Sequence, residues 1–373
     1  MVFGRRAVGG LTLGAALLCG GAVNAGPDGA RPVARPTAGQ PDGPAGDRAR
    51  ARVLERHAAR LMLAWQQYER RYGAPLAAWA SSVLPPAEGE TVFYPFSGPD
   101  FPTVHRLYPR AGRYVLVAQQ RAGRLPELAT MTSTSLAKHL AVLERSVAGF
   151  GGLGFFVTDE LERDERSASP ERGIAGLLAL FAEREGFTLR AVAPLRVRDD
   201  GLEVEVHPGD HGSPEVWRSA RFELQRRTDG ALVQLDYLCL DLRDRSLRQG
   251  AAARRWLRSI AGHRVVLKAA SHLLQKMGTF DLLRDALLER ATSIVQDETG
   301  IAYSRLTAFF QVDLYGNFVG ALERFEEAPL QLELERAYRR AGPLPSLPFK
   351  FGYSNRAGSN LQVAVRRSAA APH

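Results

Sequence analysis

The stretch from Leu195 to Val206 constrains this fold more than any other part of the chain. Leu195-Arg-Val-Arg198 and Leu202-Glu-Val-Glu-Val206 alternate apolar and charged residues without a break, and Asp199-Asp200-Gly201 stands between them. Strict alternation on both sides of an Asp-Gly turn predicts a β-hairpin. Its outward Arg196, Arg198, Glu203 and Glu205 can pair across the strands. A second hairpin follows, with Ala220, Phe222 and Leu224 in one strand, a turn at Thr228-Asp229-Gly230, and a return through Ala231, Val233, Leu235 and Tyr237. By its end that return strand is apolar on both faces, which places it inside a sheet rather than at an edge.

Around these hairpins the pattern alternates between periods of 3.6 and 2. Leu54, His57, Leu61, Trp65, Tyr68 and Tyr72 recur at helical spacing up to Gly73 and Pro75. Thr91–Phe96 and Tyr114–Ala118 read as strands with a helix over Phe101–Leu107 between them. Further helices are predicted over Ser133–Ser146, Phe156–Arg163 and Pro170–Glu185. Beyond the hairpins come a helix (Ser246–Ile260), a strand (Arg264–Ala269), a helix (Thr279–Arg290), a strand (Thr292–Val295) and helices to Arg340. Leu347–Tyr353 and Asn360–Val365 close the chain as strands. The order predicts a single α/β domain over 49–373, with a mixed, largely central β-sheet flanked by helices.

The N-terminus has a different character. Arg5 and Arg6 precede an uncharged run from Ala7 to Val23, and Val23-Asn24-Ala25 offers small residues where a signal peptidase reads them. Residues 1–25 are therefore expected to be a cleaved signal peptide, and the mature protein periplasmic or secreted. The arginine pair also permits twin-arginine export. Leu18 before Cys19 is larger than a lipobox tolerates. Residues 26–48 are rich in Gly, Pro, Ala and Asp, and read as a flexible linker that cannot bury enough surface to offset its ordering entropy. No later run approaches membrane length, so no membrane span is expected in the mature chain. Cys239 is its one cysteine after cleavage and reads as a small buried hydrophobe.

The formal net charge is +9. Only Lys138, Lys268, Lys276 and Lys350 are lysines among 49 basic residues, and no basic cluster is interleaved with aromatics as a nucleic-acid groove needs. Nucleic acid is not an expected partner; an unknown small molecule or an envelope protein is.

Several motifs carry potential chemistry. Gly149-Phe-Gly151-Gly-Leu-Gly154 spells G-x-G-x-x-G, but a predicted helix precedes it where a dinucleotide site needs a strand, so it reads as a glycine-rich connection. His207, Asp210 and His211 have ligand-like spacing within a Pro/Gly turn, and no metal or cofactor is expected. Ser97 and Asp100 stand where a strand turns into a helix, the place where α/β folds put ligands. Either can also cap that helix, and Asp100 suits the register better because of Pro102. Lys268 interrupts an apolar strand and requires a partner; Asp236 and Asp241, which flank the core of the return strand, are the expected ones. Ser271, and Gln296-Asp297 after the strand ending at Val295, complete a candidate cleft of Ser97, Asp100, Asp241, Lys268, Ser271, Gln296 and Asp297.

Phe93-Tyr-Pro-Phe-Ser-Gly-Pro-Asp100, Leu267-Lys-Ala-Ala-Ser-His-Leu-Leu274, Ile294-Val-Gln-Asp-Glu-Thr-Gly300 and Gly352-Tyr-Ser-Asn-Arg-Ala-Gly-Ser-Asn-Leu361 resemble segments of an uncharacterised family of exported bacterial proteins. The resemblance implies export and a single fold, and brings no activity with it. The functional expectation is a ligand-binding protein or enzyme with a polar cleft at the strand ends. The alternative is a non-catalytic cell-envelope or assembly protein whose polar residues are caps and ion pairs.

Overall fold

The computed structural model describes residues 35–39, 48–156, 173–201, 203–205, 214–320, 331–354 and 358–367. The predicted signal peptide, most of the linker, the helix expected after Phe156 and the His207–His211 motif lie outside them. Within the linker, residues 35–39 do not behave as a tether. Thr37 and Ala38 are buried, and the Thr37 carbonyl lies 2.7 Å from His57 Nε2.

Val53, Leu54, His57, Leu61, Trp65 and Tyr68 form one buried stripe of α1 (Arg48–Tyr68). This helix does not stop at Gly73. A π-helical turn over Glu69–Gly73 carries it into α2 (Ala74–Val83), with Pro75 in the first turn where its missing N–H is harmless. Then come β1 (Thr91–Pro95), α3 (Phe101–Leu107), β2 (Arg113–Ala118), α4 (Ser133–Leu153), α5 (Ala175–Arg184), β3 (Phe187–Val197) and β4 (Glu203–Glu205). Next are β5 (Ser219–Arg226), β6 (Leu232–Cys239), α6 (Asp244–Gln249), α7 (Ala251–Ile260), β7 (Arg264–Leu267), α8 (Asp281–Arg290) and β8 (Ser293–Gln296). The chain closes with α9 (Tyr303–Leu306), β9 (Phe310–Gly316), α10 (Leu332–Ala341) and β10 (Asn360–Arg366).

The ten strands among the described residues form one sheet in the order β4-β3-β5-β6-β2-β1-β7-β8-β10-β9. Its middle, β6-β2-β1-β7-β8, is parallel. The hairpin strands β5, β3 and β4 extend it antiparallel on one side, and β10 and β9 on the other. In the parallel strands both faces are apolar, as burial between two helical layers requires. Val92, Tyr94, Leu116 and Tyr237 face a core shared with α1 to α5. Phe93, Val115, Val117 and Leu238 face a second core shared with α6 to α8. The chain is thus a mixed-sheet α/β protein.

Three local expectations are corrected. Phe310–Gly316 is a strand, not a helix, and its alternation of Phe310, Val312 and Leu314 with Gln311 and Asp313 already carried that signal. Leu347–Tyr353 pairs with no strand; Leu347, Phe349 and Phe351 are held instead by side-chain burial in the first core. The glycine-rich run is helical: α4 reaches Leu153, and Gly154 caps it at φ +77°. The helix continues through these glycines despite their low helix propensity, and Gly151 faces α1, where a Cβ would sit at ordinary contact distance, 3.6 Å, from Ala64 O and Tyr68 Cβ.

Candidate functional site

Strand order places the site. The chain leaving β1 passes through α3 to β2 on one side, and the chain leaving β7 passes through α8 to β8 on the other. Two neighbouring parallel strands whose exits diverge leave a crevice at their carboxyl ends. A pocket of about 230 Å³ occupies it. The loop after β1 supplies Phe96, Ser97, Gly98 and Asp100; the loop after β7 supplies Lys268 to Ser271. Gln119 and Gln120 come from the end of β2. Phe155 and Phe156, just past α4, and Tyr353 close the remaining wall.

Asp100 caps α3, its Oδ1 accepting from Thr103 N at 3.1 Å. Its other oxygen accepts from Lys268 Nζ at 2.7 Å and from the Tyr94 hydroxyl at 3.2 Å. Lys268 Nζ also donates to Thr103 Oγ1 at 2.6 Å and sits 5.5 and 5.8 Å from the ring centres of Phe150 and Phe351. Asp100 is 2 % and Lys268 4 % exposed. Burial pushes the Asp100 carboxyl above its ordinary value, and Lys268 pulls against that. Burial and the Asp100 charge push the Tyr94 phenol well up, so it remains a neutral donor.

The expected partnership of Lys268 with Asp236 or Asp241 is therefore wrong. Lys268 follows β7, and β7 lies beside β1, whose exit carries Asp100; β6 lies two strands further from β7 than β1 does. Asp236 is held within the sheet by Arg113 and Arg221, at 2.6–2.9 Å. Asp241 lies beyond the end of β6, where Arg243 and Ser246 hold its carboxyl well below its ordinary range.

Of the seven candidate residues, Ser97, Asp100, Lys268 and Ser271 line the pocket. Asp297 stands behind it and shapes it. Its carboxylate accepts from Ala269 N at 2.9 Å, Thr299 N at 3.0 Å and Thr299 Oγ1 at 2.5 Å, which fixes the loop after β7. Gly352 passes over the same carboxylate so closely that a Cβ would come 1.7 Å from Asp297 Oδ2. Gln296 is fully buried and bonds Ile301 and Gln362, so it belongs to the core. Asp241 is not part of the pocket. Next to Asp297, burial first and the neighbouring carboxylate second raise Glu298 to about 8. Asn360 Nδ2 and Ser354 Oγ bond its two oxygens. Described residues of the stretches 93–100, 267–274, 294–300 and 352–361 thus meet at one end of the sheet.

The backbone there is unusual. Among the described residues, the non-glycine positions with φ near +55° are Phe96, Ala269, Ser271 and His272, all in the two loops that frame the crevice. Gly98 adds a fifth left-handed residue. The left-handed conformation costs an L-residue roughly 1–2 kcal/mol.

Sequence reasoning missed Tyr94, Thr103, Gln119, Gln120, Phe155 and Tyr353. Gln119 and Gln120 gave no signal beyond following a strand. Ser97 is not activated as a nucleophile: its Oγ donates to Gly98 O at 2.9 Å and lies 3.4 Å from Val117 O, and no base among the described residues bonds it. Cys239 is buried, with Sγ 3.1 Å from Gln119 O. No protein-family model, no curated protein and no solved structure matches this chain.

Proposed function

We propose that the protein is exported, to the periplasm or beyond, and binds a small molecule in the crevice at the carboxyl ends of β1, β2 and β7. The observation that carries this reading is the concentration of Phe96, Ala269, Ser271 and His272, all left-handed, in the two loops around one pocket. Such strain lowers stability and persists where a ligand site needs the geometry. The unactivated Ser97 favours binding over acyl-transfer chemistry. Export rests on Arg5-Arg6, the uncharged run after them and the small residues before Gly26.

The test expresses the chain with its own leader in a Gram-negative host. Protein recovered from the periplasm or medium should begin at Gly26. Thermal unfolding is then followed against a panel of small polar metabolites. A ligand at a hundred times its Kd adds about 2.7 kcal/mol to stability, enough for a clear rise in Tm. An intact Met1 in the cytosol would defeat the export reading, and a panel with no stabilising compound would defeat the binding one.

A further inference from the structure

The hydrogen-bond directions in the crevice define what can occupy it, and this inference rests on the binding reading above. A hydroxyl has one proton and two lone pairs. The Tyr353 hydroxyl donates to Ala269 O at 2.8 Å. In its 2.7 Å contact with Ser271 Oγ it is therefore the acceptor, and Ser271 the donor. Ser97 spends its proton on the Gly98 carbonyl. Tyr94 spends its own on Asp100. Every hydroxyl on the pocket wall has thus turned its proton into the protein, and Ser97 and Ser271 offer the crevice lone pairs alone.

Charge narrows the choice further. Lys268 and Asp100 are the charged side chains of the wall among the described residues, and they neutralise each other at 2.7 Å. An anion would find no unpaired cation and a cation no unpaired carboxylate, so either would lose hydration without compensation. The Gln120 amide, with no hydrogen-bond partner among the described residues, supplies both a donor and an acceptor. Phe96, Phe155 and Phe156 add ring surface, whose negative faces suit aliphatic C–H groups. The volume, about 230 Å³, lies below the roughly 300–1,000 Å³ of drug-sized sites, so one ring fills it.

We infer that the crevice takes an uncharged, hydroxyl-rich ring of monosaccharide size, its hydroxyls donating to Ser97 and Ser271 and its C–H face on the phenylalanines. A flat heterocycle fits worse, because its ring nitrogens and carbonyls would meet lone pairs.

Calorimetric titration of the full mature chain with D-glucose, D-galactose and myo-inositol tests this against glucuronate and glucosamine, which keep the ring and add a charge. At least one neutral ring should bind, with its charged counterparts at least tenfold weaker. Ser271→Ala removes one acceptor and should weaken that ring about tenfold, the effect of one neutral hydrogen bond. Equal or tighter binding of a charged ring overturns the inference and leaves the crevice reading standing. So does binding of neutral heterocycles such as adenine or uracil in place of polyols. Failure of every compound here and in the metabolite panel overturns both.

Discussion

Among the carboxylates buried against cations in this protein, Asp236 and Asp100 have surroundings that differ in kind. Asp236 sits inside the sheet. Arg221 on β5 is its direct cross-strand neighbour, Arg113 reaches it from β2, and Glu203 links Arg113 to the Trp256 indole. Each strand around it is regular. Asp100 sits where the strands end, and its partner Lys268 opens a loop with three left-handed non-glycine residues. A pocket lies against the second pair; the Asp236 network lines none of it. Burial of a charge pair is therefore no mark of a site by itself, since sheets bury such pairs to satisfy their own strands. The mark is burial together with backbone strain and open volume.

The largest effect should come from breaking the strand-end pair. Lys268→Met strands a carboxylate that is 2 % exposed, and breaking a buried pair costs about 3–5 kcal/mol. The loss should lie at the upper end of that range near neutral pH. Asp100 already has a raised folded value, and without Lys268 it rises further. A carboxyl whose folded value exceeds its unfolded one favours folding at low pH and loses that contribution as pH rises. The Lys268→Met defect should therefore shrink as the pH is lowered towards about 5. Asp236→Asn should cost less, because Arg113 and Arg221 are 23 % and 15 % exposed and can reach water. The Arg113 and Arg221 guanidinium groups it leaves behind stay charged throughout this range. Thermal melts of both variants across pH check this; equal losses with equal pH dependence would erase the contrast between the two pairs.

A smaller effect separates the strand-end cluster from the rest of the molecule in the wild-type protein. Glu298, at about 8, binds its proton more tightly folded than unfolded. Stability should consequently fall as pH rises from the ordinary carboxylate range through about 8. Glu298→Gln keeps the neutral shape and removes the titration, so the decline of Tm between about pH 5 and about pH 8 should become shallower. A slope unchanged by the substitution would place the pH dependence elsewhere.

Much of this was legible in residue order. The hairpins announced themselves through alternation and Asp-Gly turns, and β6 announced its central place by becoming apolar on both faces. Ser97 and Asp100 were found because a strand turns into a helix there, and Lys268 because a charge in an apolar strand demands a partner. The partner itself was not legible: it depends on which strands are neighbours, and β7 beside β1 is a long-range fact that no local pattern encodes. The same holds for Gln119, Gln120 and Tyr353, which enter the site only because β2 and the chain before β10 meet at the strand ends. Gln296 misled for the opposite reason, since a polar residue at a strand end can just as well close a buried turn. The helical glycines of α4 were hidden because glycine's low helix propensity argues locally for a connection.

The contrast between the two regions comes down to one comparison, with Gln120→Ala in the crevice and Asp236→Asn in the sheet. The affinity of the tightest neutral ring from the titrations is measured on wild type and both variants, beside their melting temperatures. Gln120→Ala should keep its stability within about 1 kcal/mol of wild type and lose about tenfold in affinity, the effect of one hydrogen bond. Asp236→Asn should melt clearly lower and bind as wild type does. Affinity that follows stability, or that is untouched by Gln120→Ala, would contradict the assignment of the crevice as the ligand site.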